Sequence, residues 1–330
     1  MRILVRGAGV AGLAVARELV ARGCAVEIAE RGASVGAGAS WLAGGMLAPW
    51  CEMESADARV LSEGLSAADW WDAATPGQVV RKGTLVVAPQ RDMAELARFA
   101  SRTSGYEWLD EEAIAGLEPA LAGRFRKGLH FREEAHLDPR QALQALYRSL
   151  EAEGVRFRFG APGDLSGRGY DRVIDCTGSA AIGQVGALRG VRGEMLYLRT
   201  EEIALSRPVR LLHPRHPVYI VPRGDARFMV GATMIESEAD GPPSARSLME
   251  LLNAAYALHP AFGEAQVVET GAGVRPAFAD NFPRLLDIGQ TLHVNGLYRH
   301  GFLLAPAMAR QVADGLATPR MTQALTGAML

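Results

Sequence analysis

The first thirty residues set apolar runs around a glycine turn. Ile3, Leu4 and Val5 form a short apolar run that breaks into Gly7, Ala8, Gly9, Val10, Ala11 and Gly12, and an amphipathic stretch from Leu13 to Ala21 follows. This pattern predicts a strand, a tight turn and a helix. A second apolar run, Ala25 to Ala29, ends at Glu30, eighteen positions beyond Gly12. Together these make a dinucleotide fingerprint with its ribose-binding acid. A pyrophosphate has to approach backbone N–H groups at a helix N-terminus, where partial positive charge gathers and a Cβ would obstruct. Gly7, Gly9 and Gly12 are therefore expected at the cofactor, with Glu30 accepting hydrogen bonds from the ribose hydroxyls.

The pattern that follows is unusual for a nicotinamide site. Gly36 to Ser40 and then Ala43 to Pro49 form a second small-residue segment where a nicotinamide-binding unit would proceed to its next helix. Backbone of this kind suits a long dinucleotide that ends in a large planar ring, which favours FAD over NAD.

Helical spacing of Leu61, Leu65, Ala68 and Trp71 predicts one amphipathic helix over Ala56 to Ala74, with Trp70 and Trp71 in the core. Gly83 to Pro89 reads as a strand, Met93 to Thr103 as a helix, and Asp110 as the cap of a short helix reaching Gly116. Asp138 followed by Pro139 opens another helix, running to about Gly154. Val155 to Phe159 and Val173 to Thr177 read as strands, the second closed by Gly178, and return the chain to a parallel sheet. Met195 to Thr200, Val218 to Pro222 and Phe228 to Thr233 are short β-rich runs followed by a helix over Ala245 to Ala257, the texture of an antiparallel sheet flanked by helix. Near the end, Leu292 to Asn295 is a strand, Gly296 to Gly301 a turn, and a helix opened by Pro306 runs from Leu304. A helix start after such a turn stabilises anions.

The expected fold is α/β: a doubly wound, Rossmann-like FAD-binding domain formed by 1–75, 136–190 and 275–330. An antiparallel-sheet α+β substrate domain, 76–135 and 191–274, is inserted into it.

Composition narrows the classes. The 330 residues are 48% hydrophobic with a mean hydropathy of +0.03, which describes a globular protein able to bury a large core. A net charge of −2 with scattered Lys and Arg gives no nucleic-acid surface, which counts against a tRNA-modifying flavoprotein. No stretch reaches the ~18 apolar residues of a membrane span. Arg6 interrupts the N-terminal apolar run too early for a signal peptide. Cys24, Cys51 and Cys176 make neither a disulfide framework nor a metal signature, and a reducing cytoplasm is the expected compartment. His213 and His216 have no further ligand at metal spacing, so no metal is expected.

The segments GAGVAGLAVARELVARG, GAGASWLAGGMLAP, VRGEMLYLRT, VYIVPRGDARFMVGATM, GAGVRPAF and VNGLYRHGFLLAPA resemble, in order from Ile3 to about Val312, those of the glycine oxidase family of the thiamine pathway, within the D-amino acid oxidase group of FAD proteins. The resemblance implies that Arg275 pairs with a substrate carboxylate, that Tyr219 hydrogen-bonds it, and that Arg299 and Met234 lie beside the substrate. It implies FAD contacts at Val10, Ala11, Glu30, Arg31, Ala39, Ser40, Gly44, Gly45 and Met46, and along Leu297, Tyr298, Arg299, His300, Gly301, Phe302 and Leu303. A planar guanidinium that makes two parallel hydrogen bonds and keeps its charge agrees with the role of Arg275. Trp41, Trp50 and Cys51 stand where smaller residues are expected and His300 where asparagine is common, and a bulky Trp beside the ring would narrow the pocket.

The implied activity is oxidative deamination of glycine or another small amino acid, with oxygen reoxidising the flavin to give hydrogen peroxide, in a homo-oligomer. The alternative within the group is a D-amino acid or sarcosine oxidase or dehydrogenase. A nicotinamide dehydrogenase is disfavoured by the second glycine segment.

Overall fold

A computed structural model describes residues 1–162, 167–213 and 217–317. His216 and the last thirteen residues of the expected cofactor domain lie outside the described residues.

The opening pattern folds as its periodicity predicts. Strand β1 (Arg2–Arg6) leads through the glycine turn into helix α1 (Val10–Ala21), and strand β2 (Ala25–Glu30) pairs parallel to β1. Gly7 has φ +94°, and a Cβ there would lie 2.6 Å from the Cys176 carbonyl oxygen. A Cβ at Gly12 would sit 1.9 Å from the Gly7 carbonyl oxygen, so Gly12 serves the close packing of α1 on the turn.

These elements form the middle of a six-stranded sheet ordered Arg284–Ile288, Thr291–Asn295, Arg172–Asp175, β1, β2, Arg156–Phe159. Its neighbours are parallel except the outer hairpin of Arg284–Ile288 with Thr291–Asn295. Apolar residues of β1, α1 and the last helix, Gly301–Ala317, close the core on one face, with Ile3, Leu13 and Ala309 wholly buried.

The second sheet has nine strands, drawn from Thr84–Phe131 and Arg189–Ala277. Its pairings are antiparallel, as expected, with one exception: Thr84–Val87 runs parallel to Val209–Leu211. That pair joins strands more than a hundred residues apart, and no short turn dictates their sense. The long strands Arg189–Arg199 and Gln266–Ala277 pair along nearly their full length, and both extend well beyond the runs legible in the sequence.

Several local expectations hold. Asp110 accepts the backbone N–H of Ala113 at 2.9 Å, and Asp138 accepts that of Arg140 at 2.8 Å, so each caps the helix that follows. Two differ. The single helix over 56–74 is two, Ala58–Gly64 and Ala67–Ala74. The break falls where Gly64 seats on Leu303 with no room for a Cβ, and it leaves Leu65 half exposed while Val60 and Trp71 are buried.

The last helix begins at Gly301, three residues before the expected start, and carries Pro306 inside it. Proline has no N–H to give the carbonyl four residues back, that of Phe302. The indole N–H of Trp71 donates to that carbonyl at 2.8 Å. We expect Trp71→Phe, which leaves the carbonyl buried and unpaired, to lower stability by about 1–3 kcal/mol, read as a fall in the urea midpoint at unchanged slope.

Candidate active site

A cavity of about 840 Å³ lies between the two sheets. One end is bounded by the glycine turn, by Glu30 and Arg31 after β2, and by the Ala39–Leu42 turn. The other is bounded by side chains of the second sheet and by the turn before the last helix.

Of the residues singled out in the sequence, Gly7, Gly9, Val10, Ala11, Glu30, Arg31, Ala39, Ser40, Gly44, Gly45, Met46 and Gly178 line this cavity. So do Tyr219, Met234, Arg275, Leu297, Tyr298, Arg299, Gly301 and Phe302. Three do not line it. Gly12 packs beneath the turn, Leu303 packs against Gly64, and His300 is buried with Nε2 2.8 Å from Glu52 Oε2. The Glu30 carboxylate accepts backbone N–H groups from Ala8 and Gly32, both at 2.7 Å, and so is held in place at the cavity edge.

The tryptophans expected to narrow the pocket are directed elsewhere. Trp41 lies beneath the Arg140 guanidinium, Trp50 packs on Gly105, and Cys51 is fully buried behind the wall. Among the described residues no group of side chains could hold a metal ion.

Alternation along the second sheet decides what faces the cavity. Val209, Leu211, Val218 and Ile220 enter the apolar core on one face, so Arg210 and Tyr219, which stand opposite one another across the pair, take the other. That wall is also where the sheet spends glycine: Gly193, Gly231 and Gly273 line it with backbone. The Arg275 guanidinium lies on Gly193, where a Cβ would come within 2.0 Å of Nη2.

The residue that the sequence reading missed is Glu52. Its carboxylate is buried, lines the cavity, and accepts from Arg299 Nε at 2.7 Å, beside the His300 contact, while Tyr219 donates to it at 3.3 Å. Burial alone would raise its pKa. The Arg299 charge, then the His300 hydrogen bond, outweigh burial and hold the carboxylate ionised far below its usual range. Glu52 therefore neutralises Arg299 and fixes His300 as a donor through Nε2.

Arg275 has no such partner. It donates to the Thr233 carbonyl oxygen at 3.2 Å, and no carboxylate among the described residues pairs with it. Burial lowers its pKa to about 10, which still leaves it cationic at neutral pH. Of these two cavity arginines, Arg299 is neutralised by a carboxylate and Arg275 is not. Tyr219 stays a neutral hydroxyl, because burial pushes its pKa well above the usual tyrosine value.

The cavity tests well against a dinucleotide with a planar ring. Two helices, α1 and Gly301–Ala317, begin at it, and its walls are backbone at Gly9, Gly44, Gly45 and Gly301, so side chains do not fill it. Residues 2–315 match the model of the DAO family of FAD dependent oxidoreductases.

The chain belongs to the DAO family.

Among DAO-family proteins, it is 68% identical over 318 residues to a Rhizobium etli protein that carries the provisional name thiamine biosynthesis oxidoreductase ThiO, covering 96% of this chain and 97% of that one. It is 27% identical over 349 residues to a glycine oxidase of Geobacillus kaustophilus, covering 94% and 92% of the two chains. The crystal structure of glycine oxidase from Geobacillus kaustophilus superposes with a TM-score of 0.78 at 24% identity, over 95% and 94% of the chains, and shows the shared fold. Like its family, the chain is an FAD-dependent oxidoreductase. Among the described residues no helix is long and apolar enough to cross a membrane.

Next to Glu52, a second carboxylate titrates in the opposite direction. Glu134 is wholly buried, accepts the Cys51 N–H at 2.7 Å through Oε1, and has no partner at Oε2. Burial raises its pKa to about 7 from an ordinary 4.5. Unfolded, it loses its proton first, so the stability it contributes is full below pH ~4.5 and falls as pH rises towards ~7. Glu134→Gln should flatten that part of the profile, which urea unfolding at pH 5 and pH 7.5 measures directly; a variant with the same pH slope as the parent would assign the slope elsewhere.

Proposed function

We propose that the chain oxidises glycine, or a similarly small amino acid, to the 2-oxo acid, ammonia and hydrogen peroxide, in the thiazole branch of thiamine biosynthesis. For glycine, oxygen and water are consumed and glyoxylate, ammonia and peroxide are formed, one of each. The observation that carries this reading is the unpaired Arg275 guanidinium at the end of the cavity where Arg299 is already bound to Glu52. Of the arginines at this end, Arg299 is bound to Glu52 and Arg210 donates to Tyr219 with Glu54 3.7 Å away, so a carboxylate entering the cavity meets in Arg275 a guanidinium held only by a carbonyl oxygen, able to bind it through two parallel hydrogen bonds. The names carried by its relatives, a thiamine biosynthesis oxidoreductase and a glycine oxidase, point to the same substrate class and pathway.

In this reading Arg275 binds the substrate carboxylate and Tyr219 donates a further hydrogen bond to it. Arg299 and Met234 flank the substrate. Gly7, Gly9, Val10, Ala11, Glu30 and Arg31 would hold FAD at one end of the cavity. Ala39, Ser40, Gly44, Gly45, Met46 and Gly178, with the turn Leu297, Tyr298, Arg299, Gly301 and Phe302, would hold the rest of it. Gly12, His300 and Leu303 support those contacts from behind. FAD supplies the acceptor for two electrons and passes them to oxygen. The protein contributes orientation: a carboxylate fixed at a buried arginine limits where the substrate's Cα–H can point. The inserted segments, 76–135 and 191–274, carry the substrate side, and 1–75, 136–190 and 275–330 the cofactor side. Three unpaired cysteines favour a reducing cytoplasm, and the resemblance to glycine oxidases favours a homo-oligomer.

Anaerobic addition of glycine to the flavin-loaded protein should bleach the oxidised flavin band, and admitted air should then release one peroxide per glycine consumed. An unbleached spectrum with glycine, but bleaching with sarcosine or D-alanine, would move the substrate to the alternative within the group.

Arg275→Met should raise KM for glycine by about a hundredfold, the scale of a lost charge-assisted pair. Gly193→Ala should act in the same direction with the fold intact, because its Cβ displaces only the flexible end of Arg275. Steady-state kinetics beside a thermal melt separate the two effects, and an unchanged KM in both variants would remove Arg275 from this role.

A further inference from the structure

Arg210 belongs to none of the roles assigned so far. It lies on the strand Val209–Leu211, is 3% exposed, and lines the cavity. Its buried Nε has no hydrogen-bond partner, and its nearest counter-charge is Glu54 Oε2 at 3.7 Å. Its shortest contact is Nη1 to the Tyr219 hydroxyl oxygen, 2.9 Å away, made across the strand pair in which the two residues are direct neighbours, and the same nitrogen reaches the Cys51 carbonyl oxygen at a longer 3.4 Å.

We propose that Arg210 is a positioning residue for the substrate carboxylate, acting through Tyr219: it donates to the phenolic oxygen and so turns the hydroxyl proton towards the cavity. The direction of the bond is not open to choice. A guanidinium has five donors and no acceptor, so Tyr219 must accept from Arg210. The single phenolic proton then has to point elsewhere. Within the protein its acceptor is Glu52 Oε1, at a long 3.3 Å, on a carboxylate whose other oxygen already receives Arg299 and His300. A substrate carboxylate held by Arg275 offers that proton a better acceptor. Without Arg210, the hydroxyl can rotate to accept from other donors, and its bond to the substrate is no longer enforced.

This rests on the reading of Tyr219 as a carboxylate ligand, and the experiment tells the two apart. The flavin-loaded parent, Arg210→Met, Tyr219→Phe and the double variant are compared for acetate affinity, by perturbation of the flavin spectrum, and for kcat and KM with glycine. Acetate carries the carboxylate without the amine. Each single variant should weaken acetate about tenfold and raise KM with kcat within about twofold, and the double variant should be no weaker than Tyr219→Phe alone.

Losses that multiply in the double variant would show that Arg210 acts independently of Tyr219 and overturn the proposal. So would unchanged acetate affinity in Arg210→Met. Should Tyr219→Phe itself bind acetate and glycine as the parent does, the reading of Tyr219 falls, and this proposal with it. If Arg210→Met does not retain flavin, Arg210→Lys, which keeps a donor but reaches less far, enters the same cycle. Its loss should be smaller than that of Tyr219→Phe and should disappear when the two substitutions are combined.

Discussion

One carboxylate ties the site together. Glu52 sits at the end of the short helix Pro49–Glu52, and its oxygens collect donors from the turn before the last helix and from a strand of the second sheet. Three stretches of chain, centred near residues 52, 219 and 299, are thereby held at one corner of the cavity. Glu52 also divides the cavity's charge. With Arg299 bound to Glu52 and Arg210 turned to Tyr219, Arg275 is the guanidinium at this corner that faces the open volume without a carboxylate. A cation bound by a neighbouring carboxylate and a cation bound only to a carbonyl oxygen are chemically different groups, though both are arginines of the same cavity.

Some of this was written openly in the sequence. The turn from β1 into α1, the acid at the end of β2, and the aspartates that cap two later helices depend on neighbours within a few positions, so spacing alone identifies them. The run Val218–Pro222 was legible to the residue, because its alternation is local and its ends are marked. Glu52 was not. Its partners lie 167 to 248 positions away, and no local pattern distinguishes a carboxylate that will be buried from one that will be solvated. Arg210 escaped for the same reason. It is ordinary in sequence and becomes informative only when the sheet places it opposite Tyr219.

Other differences have local causes that only packing supplies. Helical periodicity between Ala56 and Ala74 is real, but the helix is interrupted after Gly64, a position whose close approach to Leu303 leaves no room for a side chain. Pro306 looked like the opening of a helix, since that is where proline is best tolerated. It stands instead inside one, because Trp71, from another part of the chain, satisfies the carbonyl that proline leaves unpaired. In each case a tertiary contact overrides a sound local preference, and both contacts converge on the last helix.

The order of strands in the six-stranded sheet has a consequence for how the protein is made. Its centre is the first of its strands to leave the ribosome, while one of its inner strands, Thr291–Asn295, is the last, and the helix that closes its core follows after that. Until then Arg172–Asp175 presents an open edge, and the part of α1 that packs on the last helix stays uncovered. The cofactor half therefore cannot finish folding while these elements are still being made. The second sheet, whose strands are complete by Ala277, is translated in full before the last two strands of the six-stranded sheet. A chain cut before Thr291 would therefore lose an inner strand and the closing helix together, a larger part of this core than the length removed implies.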